Sequence, residues 1–166
     1  TAVCLQNTFK YNTINTKSSI SNKKMNKKEL NPNLSVDCVI FGFDLEQLYV
    51  LLIDSGSTES YSQARMAVPG DLIYDTETLD AAARRVLKEL TGIENIYLEQ
   101  IGAFGDPDRI GKKASDRKWL ESIRAMPDAR VITVAYYSLV RMPNFNPKAS
   151  SFAKSAGWAP VKEVHD

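Results

Sequence analysis

Residues 69–93, "PGDLIYDTETLDAAARRVLKELTGI", decide the fold of this chain, because they combine a tight turn, a helix start, a buried stripe and a helix stop. Beyond Glu77, apolar residues recur at three- and four-residue spacing, which predicts an amphipathic helix over residues 78–91. Gly92 then supplies the left-handed C-cap that ends such a helix. The apolar stripe consists of Leu79, Ala82, Ala83, Val86, Leu87 and Leu90.

Four β-rich segments surround this helix in the sequence. They read "LSVDCVIFGFD" (34–44), "QLYVLLI" (47–53), "IYLEQIGAF" (96–104) and "RVITVAYYSLV" (130–140). The first two are separated only by "LE", which predicts a β-hairpin. Strands on both sides of one strong helix predict an α+β fold, an α/β/α sandwich with a mixed β-sheet.

The composition excludes several classes of protein. A length of 166 residues suits a single domain, and a net charge of +1 provides no electrostatic reason to bind nucleic acid or an anionic membrane. Cys4, Cys38 and His165 form neither a disulfide framework nor a zinc site. The apolar runs are strand-sized and no signal peptide precedes them, so we expect a cytoplasmic protein with no membrane partner.

Two segments stand outside the predicted core. Residues 1–33 are rich in Asn, Ser, Thr and Lys and predict a flexible leader, with Met25 as the hypothetical start and a domain over residues 34–166. An insertion at 111–129 has the pattern of a short amphipathic helix. In this insertion Trp119 is more typical of core packing or a dimer contact than of a cover over a cleft.

The stretch from the Pro-Gly turn to Ile93 resembles the Nudix box, G-x5-E-x7-R-E-U-x-E-E-x-G-U, where U is aliphatic. Glu77, Arg85, Leu87, Glu89, Gly92 and Ile93 fall in register with that pattern. The first glycine of the pattern falls on Asp71, one residue after Gly70. The two other helix carboxylates of the pattern fall on Val86 and Leu90.

These two departures bear directly on metal binding. Positions 86, 89 and 90 lie within about one helical turn, so carboxylates there would converge on one spot. Magnesium requires several oxygen ligands, and Glu89 alone cannot supply them. We therefore expect no metal site and no cofactor, with Glu89 as the metal ligand if there is one. A distant acid, Glu99 or Asp106, is the remaining source of compensation.

A narrower resemblance covers residues 34–166. "TGIENIYLEQIGAFGDPDR" (91–109) and "RVITVAYYSLV" are similar to segments of the Nudix-related transcriptional regulators of the NrtR/AraR type. The resemblance implies a domain that senses a small-molecule effector, either ADP-ribose-like or a sugar such as arabinose. It also implies a homodimer that contacts DNA only through a C-terminal winged-helix domain, which we expect to be missing from this chain. In that comparison "GWAPVKEV" corresponds to the approach to the last helix of the Nudix-like domain.

The resemblance also indicates candidate ligand-binding residues. They are Gly70, Asp71, Glu77, Arg85, Glu89, Asp106, Asp108 and Arg109. Arginine suits phosphate or carboxylate recognition and aspartate suits sugar hydroxyls, although "GDPDR" is equally the composition of an ordinary polar turn. Asp54 and Ser55 replace the basic pair that often follows the second strand in the regulators, which weakens the argument for a phosphorylated ligand.

Alternatives remain open for the box residues and for the function. Glu77 either stabilises the helix N-terminus or contacts a ligand, and Arg85 with Glu89 forms either a surface ion pair or part of a ligand-binding face. The leading hypothesis is an effector sensor that does not hydrolyse its ligand. The alternatives are a divergent Nudix hydrolase of nucleoside-diphosphate compounds, with magnesium and with Glu77 and Glu89 as catalytic residues, and a scaffold with no ligand.

Overall fold

The long strand β1 (Leu30–Phe43) is the axis of the sheet. The C-terminal end of β1 pairs antiparallel with β2 (Leu48–Asp54), and its N-terminal part pairs antiparallel with β4 (Gly70–Tyr74). The other edge of β1 pairs in parallel with β6 (Ile132–Arg141) over ten consecutive residue pairs. The computed structural model describes residues 29–54, 66–107, 126 and 128–164.

Three further strands extend the sheet to seven strands: β3 (Met66–Ala67), β5 (Glu99–Phe104) and β7 (Ser155–Pro160). The main path runs β3-β2-β1-β6-β5, with β4 paired to β1 and β7 paired to β2. This arrangement confirms the predicted α+β fold with a mixed sheet. The predicted helix in the 111–129 insertion, with Trp119, lies outside the described residues.

Helix α1 (Leu79–Thr91) forms where the sequence predicts it. The side chain of Thr78 accepts a hydrogen bond from the Ala81 N–H at 3.2 Å and caps the N-terminus. At the other end Gly92 adopts a φ of +70° and donates its N–H to the Lys88 carbonyl at 2.9 Å. Within the described ranges α1 is the only α-helix. It is too short and too polar to cross a membrane.

The core lies between α1 and one face of the sheet. Val36, Cys38 and Ile40 of β1 are completely buried there. Burial raises the pKa of the Cys38 thiol to about 12, so this side chain is a neutral part of the core at physiological pH. The helix contributes the predicted stripe to the same cluster: Ala82, Ala83, Val86, Leu87 and Leu90 are all at most 1% exposed.

The sheet begins four residues earlier than the sequence analysis predicted. Residues 30–33, assigned there to the leader, belong to β1. Asn31 donates its side-chain amide to the Asp75 carboxylate, and Asn33 donates its own to the Arg130 carbonyl, both at 2.9 Å. The asparagines thus act as connectors to two distant loops, a role that composition alone does not reveal. Residues 1–28 lie outside the described part of the chain.

Strand β7 was not predicted, because "SAGWAP" has small residues in place of an alternating apolar pattern. It pairs with β2 over six residues, from Tyr49↔Pro160 to Asp54↔Ser155. The Trp158 indole of β7 donates Nε1–H to the Phe145 carbonyl at 3.2 Å, and the edge of its ring lies close to Gly42. A glycine in β1 is what permits this close approach, since a Cβ there would lie 2.9 Å from the Trp158 ring.

We expect Gly42→Ala to lower the free energy of unfolding by about 1–3 kcal/mol, because the added methyl overpacks the contact with Trp158. The matched control is Gly157→Ala in β7, where a Cβ meets nothing within 4 Å. That control should stay within about 0.5 kcal/mol of the parent protein. Urea titration followed by Trp fluorescence measures both. Equal stability of the two variants would contradict the packing described for Trp158.

We also expect Val86→Glu to destabilise the domain by about 3 kcal/mol or more, because it places a carboxylate at a completely buried position. Ala81→Glu, on the exposed side of the same helix, is the control and should change the unfolding free energy by less than about 0.5 kcal/mol. Thermal and urea unfolding of both variants test this. A Val86→Glu protein as stable as the control would show that position 86 is open to solvent.

Candidate functional site

The loop between β4 and α1 is closed by Glu77. One carboxylate oxygen of Glu77 accepts the Tyr74 backbone N–H at 2.8 Å, and the Glu77 N–H donates to the Tyr74 carbonyl at 3.2 Å. The Glu77 side chain is only 14% exposed. A charged group this well covered requires a partner of opposite charge.

Arg85 is that partner, and nearly all of its guanidinium is used. It donates Nε–H and Nη2–H to the two carboxylate oxygens of Glu77 at 3.0 and 2.6 Å. The Nη2 group also donates to the Leu72 carbonyl at 3.1 Å, and Nη1–H donates to Glu89 at 3.0 Å. Its Cζ atom lies 4.5 Å from the centre of the Tyr74 ring. We call Glu77, Arg85 and Glu89, with the Tyr74 ring and the Leu72 carbonyl, the arginine brace.

The brace ties the helix to the preceding loop and strand at the same time. The hydrogen bonds from Arg85 to Glu77 contribute most to a pKa of Arg85 that is raised well above its already high ordinary value. The bidentate geometry is the one that guanidinium and carboxylate form best. Three of the predicted ligand-binding residues, Glu77, Arg85 and Glu89, are therefore brought together by contacts with one another.

Glu89 is the exposed member of the brace, with a side chain 48% accessible to solvent. On either side of it in the box pattern, Val86 and Leu90 are buried in the core and present no oxygen. Within the described ranges of the chain, no group of three or more His, Cys, Asp and Glu side chains is placed to share a metal ion. The described residues consequently do not fit the magnesium cluster that the box pattern implies.

The two acids considered as substitutes lie in different surroundings. Glu99, in β5, accepts a hydrogen bond from the Tyr97 hydroxyl. Asp106 is exposed in the loop after β5, where Arg130 holds the Gly105 carbonyl through Nε–H and Nη2–H at 2.9 and 2.6 Å. Asp108 and Arg109, predicted from "GDPDR", lie outside the described residues.

Gly70 and Asp71 open strand β4, opposite Asp37 and Val36 of β1. A Cβ at Gly70 would lie 2.0 Å from Oδ1 of Asp37, so glycine allows that carboxylate to rest against the strand. Asp71 is half-buried, and its Oδ1 accepts the Leu72 N–H at 2.7 Å. The Leu72 carbonyl also accepts a hydrogen bond from Arg85, so Asp71 directly adjoins a residue of the brace.

A cleft of about 250 Å³ beside α1 was not predicted from the sequence. The cleft lies between the helix and the segment that leads to β5, with Leu87, Ile93, Ile96 and Leu98 among its apolar lining. Its charged lining residues are Arg84, Arg85 and Lys88 of the helix and Glu94 beyond it. Arg84 donates to the Ile96 carbonyl at 3.3 Å, and Lys88 forms an ion pair with Glu94 at 2.6 Å. The spacing of Arg84 and Lys88, four residues apart on the helix, is the one sequence feature that could have indicated this cleft.

We expect Arg85→Lys to reduce the free energy of unfolding by about 2 kcal/mol, because lysine cannot span both oxygens of Glu77 and the Leu72 carbonyl at once. The control is Arg84→Lys, a neighbouring exposed arginine with one backbone hydrogen bond, for which a change below about 0.5 kcal/mol is expected. Urea unfolding midpoints compare the two. A larger effect from Arg84→Lys would contradict the structural role given to the brace.

Comparisons with known proteins agree with this architecture. The NUDIX domain model matches residues 31–166. The "ADPR responsive transcriptional repressor NtrR" of Acinetobacter baylyi is 34% identical over 136 residues, which cover 80% of this chain and 46% of the repressor. The chain thus spans about half the length of that curated relative.

Two solved structures extend the comparison. A MutT/nudix family protein from Enterococcus faecalis is 27% identical with a TM-score of 0.59, and the match covers 83% of this chain and 47% of that one. The NUDIX domain of Shewanella oneidensis NrtR, solved with ADP ribose, has 23% identity and a TM-score of 0.61, with 87% and 81% covered. The second likeness is one of fold. With the box register and the sheet described above, the family match shows that this chain belongs to the NUDIX domain family.

Proposed function

We propose that this domain binds an ADP-ribose-like effector without hydrolysing it, as the sensing part of a transcriptional regulator. The observation that carries the proposal is the burial of Val86 and Leu90, which leaves Glu89 as the one carboxylate among the three helix positions of the box. Cleavage of a diphosphate by water relies on divalent cations held by several oxygen ligands. In this proposal a NUDIX domain without those oxygen ligands binds the diphosphate compound but does not cleave it.

The brace supports the recognition half of this proposal. Glu77 and Arg85 hold the β4–α1 loop through contacts made entirely within the protein, so the loop needs no bound metal to keep its conformation. A preformed loop lowers the entropic cost of binding a ligand. In this proposal Glu77 and Arg85 are positioning residues, and Gly70, Asp71 and Glu89 border the effector.

The chemical class of the effector follows from the relatives together with the residues. The 34% identical relative is described as ADPR responsive, and the Shewanella NrtR domain was solved with ADP ribose. In the proposed site the carboxylates of Asp71, Asp106 and Asp108 accept hydrogen bonds from ribose hydroxyls, and Arg109 contacts the diphosphate. A free sugar such as arabinose is the second candidate, favoured by the acidic Asp54 at the end of β2.

Regulation in this proposal acts through a dimer. An effector that binds one dimer arrangement more tightly than another shifts the equilibrium between them by that difference in affinity. DNA binding belongs to a further domain of the complete regulator, a winged helix C-terminal to the NUDIX domain, in a cytoplasmic setting. One of the similar chains, Shewanella oneidensis NrtR, has been crystallised with a 27mer DNA.

A divergent hydrolase is the second candidate function. It is favoured by the register of Glu77, Arg85 and Glu89 with the Nudix box and by the fold it shares with a bifunctional NMN adenylyltransferase/ADP ribose pyrophosphatase of Francisella tularensis. In this alternative magnesium is required, and Glu99 or Asp106 supplies the missing oxygen ligands together with Glu89.

Calorimetric titration of ADP-ribose in EDTA, followed by phosphorus NMR of a second sample without EDTA and with magnesium, separates the two functions. We expect binding in EDTA and an unchanged diphosphate signal after the metal is added. Turnover that disappears in Glu89→Gln but persists in the exposed control Glu163→Gln would establish the hydrolase. Absence of binding to both ADP-ribose and arabinose would overturn the proposed sensor.

A further inference from the structure

The tip of the β1–β2 hairpin carries a leucine in an unfavourable backbone conformation. Leu45 has a φ of +87°, a region that bulky side chains avoid because Cβ approaches the following carbonyl. Its side chain is 67% exposed, so burial within this chain does not compensate for the conformation. Glycine or asparagine would fit the turn better. A residue that opposes the local fold without an internal gain points to a functional role.

The tip is also rigid and apolar at its base. Oδ1 of Asp44 accepts the backbone N–H groups of Glu46 and Gln47 at 2.9 and 2.8 Å, which fixes the turn around Leu45. Below the turn, Phe43 and Leu48 lie opposite each other in the ladder, and each is 40% exposed. The hairpin thus presents one leucine in a fixed position between two acids, above an apolar pair.

The cleft beside α1 is apolar inside and positively charged at its rim, which complements a leucine between two acids. Its apolar lining includes Leu87, Ile93 and Ile96. Its charged lining residues are Arg84, Arg85, Lys88 and Glu94. The cleft is open to solvent, and its volume of about 250 Å³ leaves room for a branched apolar side chain at its mouth. Arg84 and Lys88, offset in part by Glu94, leave a positive rim, whereas Asp44 and Glu46 make the tip negative.

We propose that two copies of this chain associate reciprocally, with Leu45 of each copy inserted into the cleft beside α1 of the other. A two-fold axis makes the two contacts equivalent and closes the assembly as a dimer. The acids of each tip then face Arg84 and Lys88 of the other copy, which fixes the orientation. The rigid turn limits the entropy lost on association. This inference specifies the interface of the homodimer included in the proposed function, and it is tested without effector.

Leu45→Gly is the decisive variant, because glycine adopts the positive φ freely and the side chain is removed. We expect the parent chain to sediment as a dimer and Leu45→Gly to dimerise at least tenfold more weakly. Its melting temperature, measured on monomer, should be unchanged or higher. The matched control is Leu139→Ser, another leucine with 65% exposure, which lies on β6 opposite Phe41 of β1 and not in the turn itself. This control should dimerise as the parent does.

Charge reversal provides the second arm of the experiment. Glu46→Arg should weaken the dimer, and adding Arg84→Glu in the same chain should restore it, because each reversed tip then meets a reversed cleft. The proposal is overturned if the parent chain is monomeric at its highest soluble concentration. It is equally overturned if Leu45→Gly remains fully dimeric, or if only Leu139→Ser dissociates. ADP-ribose titration of the parent chain separates the two proposals, since absence of effector binding there rejects the sensor and leaves the dimer result intact.

Discussion

The pairing of Arg85 with Glu77 is the interaction on which the site depends. One planar guanidinium joins the helix, the loop and strand β4, because it reaches both oxygens of Glu77 and the Leu72 carbonyl together. Neither residue could be lost alone, since the remaining charge would be left covered and without its partner. The two box residues that hold the architecture are thus present, although two that would bind metal are absent.

At positions 86 and 90 the carboxylates of the box pattern are replaced by Val86 and Leu90, and the geometry of the helix explains this replacement. Both positions belong to a stripe that meets the sheet, where apolar side chains contribute about 1.5–3 kcal/mol each when fully buried. A carboxylate at either position gains no such contribution and must find a counter-charge or a metal ion. Replacement by valine and leucine therefore increases the stability of the helix–sheet contact as it removes ligand oxygens. The positions of the box that remain apolar or paired therefore stabilise the core and the loop beside it.

The parts of the fold that follow from local rules could be predicted from the sequence. The three-four spacing in α1 and the C-cap residue Gly92 predicted the helix to within one residue, and the alternating and β-branched runs predicted the long strands. Strand β7 was not predicted, because Gly157 and its small neighbours are held in place by pairing with β2. The structural role of Asn31 and Asn33 escaped for a similar reason: their partners lie 44 and 97 residues away.

The parallel pairing of β1 with β6 has a consequence for how the chain acquires its structure. The two strands are separated by about a hundred residues, as in the pair Leu34↔Ile132, and they share ten consecutive pairs at the middle of the sheet. Local hairpins such as β1–β2 close quickly, whereas a ladder of this sequence separation requires a large loop to be closed first. During synthesis the first half of the chain therefore emerges with one edge of its central strand uncovered, and the β1–β6 ladder is completed only after residue 141 has left the ribosome.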